Sequence, residues 1–144
     1  MKATDLQRGI VMKVTDLIIG DWVIFSDNPL KVQHIYNDGD DIVAGIIEES
    51  IDGEGIHEEI KYVPLVNCSP IPLTPEILEK NGWKETQYWH EYQDGKNTIQ
   101  CCLPDMRGII NEIEIEHFKC EYVHQYQHLL RLCGLDELAD NFKV

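Results

Sequence analysis

The residues best suited to chemistry lie in the C-terminal part of the chain: His117, Cys120, His124 and His128. His124 and His128 are four positions apart in a segment whose pattern predicts a helix, so their side chains would be neighbours. Imidazoles and a thiolate are zinc ligands, and Cys101 or Cys102 would complete a set of four. The cluster is therefore the candidate centre of a small metal-dependent or thiol-dependent enzyme, with Cys120 and His124 as its best pair of metal ligands.

The helical spacing of this cluster argues against one shared ion. If both residues were helical, Cys120 and His128 would lie about 12 Å apart along the helix axis. A helical wheel also places His124 and His128 beside Gln127 and Arg131, opposite the apolar stripe, which predicts a face exposed to water. We therefore expect no metal, no cofactor and no catalytic residue here, and at most a subset such as Cys120 with His124 could hold an ion.

Cys101 and Cys102 are a second place where chemistry is conceivable. Adjacent residues of a strand point to opposite faces, so the two thiols are not expected to bond to each other. A reactive thiolate needs a nearby cation, histidine or helix N-terminus, and only His90 could lie across a hairpin from this pair. Buried, inert thiols are the favoured interpretation. The odd number of cysteines, five, favours reduced thiols.

Aromatic and acidic side chains supply a candidate surface for a protein partner. The aromatic residues are expected mainly in the core, with one or two exposed. The glutamates recur at every second position of a predicted strand, which favours a face in contact with water over a buried acid–base pair. The candidate partner surface consists of Trp89, Tyr92, Glu112, Glu114 and Glu116.

Charge and composition narrow the classes of partner. The formal net charge is −14, from 26 acidic and 12 basic residues, and it repels nucleic acid and anionic membranes while attracting basic proteins. A more specific hypothesis is that the acidic surface mimics nucleic acid and so occupies a basic protein. No apolar stretch approaches the roughly 20 residues of a membrane span. The first residues lack the apolar core of a signal peptide, so we expect a cytoplasmic protein.

The elements that would position these residues form an α+β protein. Short strands between polar turns predict a small antiparallel, barrel-like sheet up to residue 66. Residues 67–144 are predicted to hold a Pro-rich connector, a helix capped by Thr74, a three-stranded antiparallel meander and a C-terminal helix. The two parts could also form one compact unit. A near-repeat ending at Met12 suggests that residues 1–11 contribute little to the core and that Met12 is an alternative start.

Three segments of this layout resemble a known family: residues 17–23, 70–83 and 122–134. They are similar to a family of short uncharacterised bacterial proteins that often accompany prophage and mobile-element genes. The resemblance covers most of the chain from Met12 onward. It implies a bacterial cytoplasmic protein, and it supplies no activity and no catalytic residue.

The common catalytic motifs are absent from the sequence, including a Gly-rich phosphate loop, a Gly-x-Ser-x-Gly elbow and a Cys-x-x-Cys pair. We therefore expect a non-enzymatic interaction or accessory protein with an acidic surface that binds a basic protein partner. The alternative is a small metal-dependent or thiol-dependent enzyme that uses the region around His117, Cys120, His124 and His128.

Overall fold

A computed structural model describes residues 19–37, 42–64 and 67–144 of the chain. The chain divides into two compact units, Met1–Pro70 and Ile71–Val144. Each unit contains an antiparallel sheet, and the helices of the described residues belong to the second unit. The predicted α+β class is confirmed. Residues 1–11, which are predicted to contribute little to the core, lie outside the described residues.

The first unit is a five-stranded sheet in the order β4-β3-β2-β1-β5. Its strands are β1 (Trp22–Phe25), β2 (Asn28–Asn37), β3 (Ile42–Asp52), β4 (Gly55–Pro64) and β5 (Cys68–Pro70). The sheet is open, so the predicted barrel-like detail is not confirmed. The short strand β5 lies in the segment that we expected to be only a Pro-rich connector. A proline is tolerated there because β5 is at the sheet edge and pairs with β1 alone.

The first hairpin of this sheet depends on two residues with left-handed backbones. Ser26 and Asp27 have φ of 49° and 64° and connect β1 to β2 between the partners Phe25 and Asn28. Positive φ at both central residues gives the turn whose twist matches the flanking strands. The sheet then buries a small cluster made of Val23, Val32, Ala44, Val63 and Cys68.

The second unit is a five-stranded antiparallel meander with three short helices among the described residues. Helix α1 (Pro75–Lys80) comes first, and α2 (Val123–Leu132) and α3 (Asp136–Asp140) follow the sheet. The strands are β6 (Lys84–Glu85), β7 (His90–Asp94), β8 (Asn97–Cys102), β9 (Asp105–Ile110) and β10 (Ile113–Lys119). In the part of the chain that is described, no helix is long and apolar enough to cross a membrane.

The alternation of isoleucine and glutamate predicts that the third strand of the meander runs unbroken over residues 109–117, and this prediction is wrong. A turn at Asn111 and Glu112, with φ of 48° and 68°, separates β9 from β10. Asn111 is held there by its side chain, which donates a 2.7 Å hydrogen bond to the Cys133 carbonyl. Its backbone N–H donates to the side chain of Asn97 at 2.7 Å. Asparagine tolerates this backbone conformation better than most residues, so the turn forms without glycine.

The helix signals were interpreted correctly. Thr74 accepts a hydrogen bond from the N–H of Ile77 at 3.3 Å, which caps α1 as predicted. Gly134 ends the segment after α2 with a φ of 82°. The predicted apolar stripe of α2 is buried along its whole length, namely Val123, Tyr126, Leu129, Leu130 and Cys133.

The prediction that the opposite face of α2 is in water is wrong for two residues. His124 is 7% exposed and Gln127 is fully buried. For Gln127 the cause is α3, which packs against α2. The side chain of Gln127 donates a 3.1 Å hydrogen bond to the Ala139 carbonyl, and Arg131 lies 3.2 Å from a carboxylate oxygen of Asp140. The helix is therefore covered on two sides rather than one.

The burial along α2 predicts how two leucines differ. Leu130→Ala should lower the free energy of unfolding by about 2–5 kcal/mol, because it removes buried methyl groups and leaves a cavity. Leu132→Ala, at a position 75% exposed on the same helix, should change it by less than about 0.5 kcal/mol. Urea unfolding of both variants measures the difference, and equal losses would show that the helix faces are assigned incorrectly.

Candidate functional site

The histidine–cysteine cluster predicted from the sequence is spread over very different environments. His117 has an 86% exposed side chain at a bulge of β10, whereas Cys120 is fully buried. His124 stacks on the ring of Tyr122 at 5.9 Å and meets His128 edge-on at 5.5 Å. Within the described ranges, the structure does not bring donor atoms from three of these four residues within 4.8 Å of one another.

Burial controls the chemistry of the cysteines in the second unit. Burial raises the pKa of the Cys101 thiol to about 12, with smaller contributions from Cys102 and Asp105. Burial also raises the pKa of Cys120 to about 12. These two thiols are therefore inert at neutral pH, as expected for Cys101. Cys102 is exposed, so the expectation of a buried thiol is wrong for this residue. The opposite orientations of Cys101 and Cys102 are those predicted.

A small cavity lies beside the exposed thiol. It has a volume of about 220 Å³ and is lined by Trp89, Gln100, Cys101, Cys102, Asp105, Arg107 and His117. Nδ1 of His117 is 3.6 Å from a carboxylate oxygen of Asp105, and the Cys102 thiol donates a hydrogen bond to the Tyr88 carbonyl at 3.4 Å. A thiol, an imidazole and a carboxylate therefore border one cavity. The exposed cysteine beside this imidazole and carboxylate is Cys102, whereas the sequence suggested Cys120.

The candidate partner residues occupy two kinds of position. Glu112, Glu114 and Glu116 are exposed, but Glu112 lies in the β9–β10 turn, so the three do not form a row along one strand. Trp89 and Tyr92 are partly buried. Tyr92 belongs to an aromatic group in which Trp83 is 5.8 Å from both Tyr92 and Tyr126. The expectation that most of the aromatic residues serve the core therefore holds for Trp83 and Tyr126.

The end of the β3–β4 hairpin is an exposed feature of the first unit. Every residue from position 51 to position 62 is exposed. Ile51 is 80% exposed and Ile56 is 67% exposed, and their Cα atoms are partners in the ladder. Ile60 and Tyr62 of β4 are 43% and 55% exposed. We refer to residues 51–62 as the hairpin arm.

Carboxylates surround these apolar side chains. Asp52, Glu54, Glu58 and Glu59 are exposed residues of the hairpin arm. Lys61 is the one lysine or arginine of the arm, and the imidazole of His57 lies 3.0 Å from a carboxylate oxygen of Asp52.

Three residues of the second unit whose side chains can bind metal ions lie close together, and the sequence did not predict this group. Glu79 of α1, Glu85 of β6 and His90 of β7 each place one ligand atom within 4.8 Å of the others. Nε2 of His90 is 3.5 Å from a carboxylate oxygen of Glu79. Glu85 and His90 are ladder partners, but the loop between them contains no Gly, Pro, Asn or Asp that would signal a hairpin in the sequence.

Comparison with protein-family models, with curated proteins and with solved structures finds no match to this chain. Function therefore has to be argued from these surfaces and clusters themselves.

The thiol environments predict a simple labelling pattern. At pH 8 the folded protein should show one rapidly alkylated cysteine, Cys102, because Cys68, Cys101, Cys120 and Cys133 are at most 2% exposed. Mass spectrometry after a short iodoacetamide pulse identifies the labelled site. Cys102→Ser should remove the rapid phase, and rapid labelling of Cys101 or Cys120 in the folded chain would contradict the assigned burial.

Proposed function

We propose that this chain is a non-enzymatic interaction protein whose hairpin arm binds a basic protein partner. The observation that carries the proposal is the composition of the arm, where exposed isoleucines lie among exposed carboxylates. Apolar contacts supply affinity in an interface, and complementary charge around them supplies specificity and a fast association rate. The net charge of −14 means that the chain as a whole also attracts basic proteins.

The position of β4 supports a partner at this location. β4 is an edge strand of its sheet, so one side of its backbone has no strand beside it among the described residues. Charged residues usually protect such edges from pairing. Here the glutamates repel further acidic chains, while Ile56 and Ile60 leave an apolar surface for a cationic one. A basic segment could therefore add to the edge of β4 as an extra strand.

The resemblance to short bacterial proteins found near prophage genes supplies a setting for this function. In that setting the chain is a bacterial, cytoplasmic accessory protein, and its partner is a basic protein of the host or of the mobile element. The acidic arm also repels nucleic acid, so a direct role on DNA or RNA is the less favoured interpretation.

Charge reversal on the arm tests the proposal. Random peptides displayed on phage are selected on the wild-type chain, and those retained should carry a net positive charge. The triple variant Glu54→Lys/Glu58→Lys/Glu59→Lys should bind the selected peptides at least about tenfold more weakly, since exposed ion pairs contribute about 0.2–1 kcal/mol each and reversal adds repulsion. Raising the salt concentration should weaken wild-type binding in the same direction.

The matched control changes the net charge equally at another surface. The variant Glu112→Lys/Glu114→Lys/Glu116→Lys alters three exposed glutamates of the second unit. Its Kd for the selected peptides should stay within about twofold of the wild-type value, which is well below the tenfold change that 1.4 kcal/mol produces. If the control loses binding and the arm variant keeps it, the partner surface is the acidic group at positions 112–116 instead. Selection of neutral or acidic peptides would contradict a basic partner.

A thiol-dependent enzyme is the second candidate, and the cavity shared by Cys102, Asp105 and His117 favours it. In this interpretation Asp105 orients His117, and the Cys102 thiol turns from the Tyr88 carbonyl to donate its proton to His117. His117→Ala should then slow the alkylation of Cys102 at pH 7 by about 100-fold, the low end of what a positioned base contributes. Asp136→Ala, which changes an exposed residue outside the cavity, is the control. Equal alkylation rates in wild type and His117→Ala would remove this candidate.

A further inference from the structure

We propose that Glu79, Glu85 and His90 form a binding site for one divalent transition-metal ion, with Zn²⁺ as the best match. One ligand atom from each residue lies within 4.8 Å of the other two. The site belongs wholly to the second unit and shares no residue with the hairpin arm.

The backbone holds the three residues close together through local contacts. After Glu79, the N–H of Gly82 donates to the Glu79 carbonyl at 3.2 Å and the N–H of Trp83 donates to the Leu78 carbonyl at 3.1 Å. These bonds turn the chain directly from α1 into β6. Glu85 of β6 is then the ladder partner of His90, and partner residues have Cβ atoms about 4.5–5.5 Å apart.

The loop between Glu85 and His90 is closed by its own hydrogen bonds. The N–H of Thr86 donates to the Trp89 carbonyl at 2.7 Å, and the Thr86 hydroxyl donates to the same carbonyl at 2.7 Å. The Thr86 hydroxyl oxygen also accepts from the N–H of Trp89 at 3.2 Å. A loop fixed in this way presents its two flanking ligands at a set separation, which is what a metal site requires of its supporting residues.

In the part of the chain that the structure describes, the imidazole of His90 lacks a hydrogen-bond partner for one of its buried ring nitrogens. Its side chain is only 15% exposed. Its Nε2 atom is buried and has no hydrogen-bond partner among the described residues, because the nearby Glu79 oxygen does not have hydrogen-bond geometry. A buried ring nitrogen without a partner is costly, and a metal ion coordinated by that nitrogen would satisfy it. The same ion would offset the repulsion between the two carboxylates.

The donor set selects the class of ion. One imidazole with two carboxylates suits Zn²⁺ and neighbouring first-row ions, whereas Ca²⁺ and Mg²⁺ prefer oxygen ligands alone. Ligands bound to Zn²⁺ at about 2.0–2.2 Å lie roughly 3.4 Å from one another in a tetrahedron. Nε2 of His90 is already 3.5 Å from a carboxylate oxygen of Glu79, so only ligand atoms near the 4.8 Å limit must move closer. Glu79 is 51% exposed and Glu85 is exposed, so both side chains have room to make that movement.

Space for a further ligand borders two of the three residues. A cavity of about 320 Å³ is lined by Glu85 and His90 together with residues of the loop and of β8. Three protein ligands beside an open cavity correspond to a zinc site that keeps one position for water or another small ligand. Trp89 lines the same cavity, and its buried Nε1 has no acceptor among the described residues.

Calorimetric titration of Zn²⁺ into the untagged, metal-free full chain at pH 7.5 tests the site. We expect one Zn²⁺ per chain at this site, and we expect Mg²⁺ to produce no comparable heat. His90→Ala and Glu85→Gln should each weaken Zn²⁺ binding by at least tenfold, since even the loss of an outer-shell partner costs about 10–100-fold. Zn²⁺ should also raise the melting temperature of the wild type and not that of these variants.

Matched controls separate this site from other zinc ligands of the chain. Glu76→Gln changes an exposed glutamate on the same helix as Glu79, and Glu91→Gln changes the residue next to His90, so both should bind Zn²⁺ as the wild type does. Circular dichroism checks that every variant is folded. The proposal is overturned if the wild type binds no Zn²⁺, if His90→Ala binds it equally well, or if only a Cys120→Ser/His124→Ala variant loses it.

Discussion

The register of the antiparallel hairpins is the constraint on which every candidate surface in this protein depends. In an antiparallel ladder a slip of one residue moves each side chain to the opposite face. The pairing of Glu85 with His90 places two ligand types side by side, and the pairing of His90 with Cys101 places the buried thiol against the same strand. In the first unit, the pairing of Ile51 with Ile56 places two exposed isoleucines at the end of the arm.

Short turns set that register, and some of them could be predicted. The dipeptide Asp94-Gly95 predicts the β7–β8 turn, because aspartate followed by glycine is a common hairpin signal. In the structure Gly95 lies in that turn with a φ of 56°. The Asn111–Glu112 turn escaped prediction because isoleucine and glutamate alternate after it as they would along a continuous strand. What fixes this turn is a hydrogen bond to Cys133, far along the chain, and periodicity carries no information about such a contact.

The difference between local signals and contacts made far along the chain also explains which parts of the candidate sites could be predicted. Caps and glycines identified α1 and α2 because those signals are local. The burial of Gln127 depends on α3 folding back on α2, and a helical wheel assumes a partner on one side only. The Glu79, Glu85 and His90 group combines a helix end with two strands, so its proximity follows from tertiary structure even though the residues are near in sequence.

Negative charge is arranged differently in the two units, and the difference bears on what each can bind. Along the hairpin arm, Glu58 and Glu59 are exposed to water, where each charge is solvated and repulsion is weakened by salt. Such an arrangement favours a large cationic partner that neutralises several charges at once. At Glu79 and Glu85 the carboxylates converge on an imidazole nitrogen that is shielded from water. Convergence on a buried donor limits the occupant to something the size of one ion, because only a compact cation reaches all three atoms together.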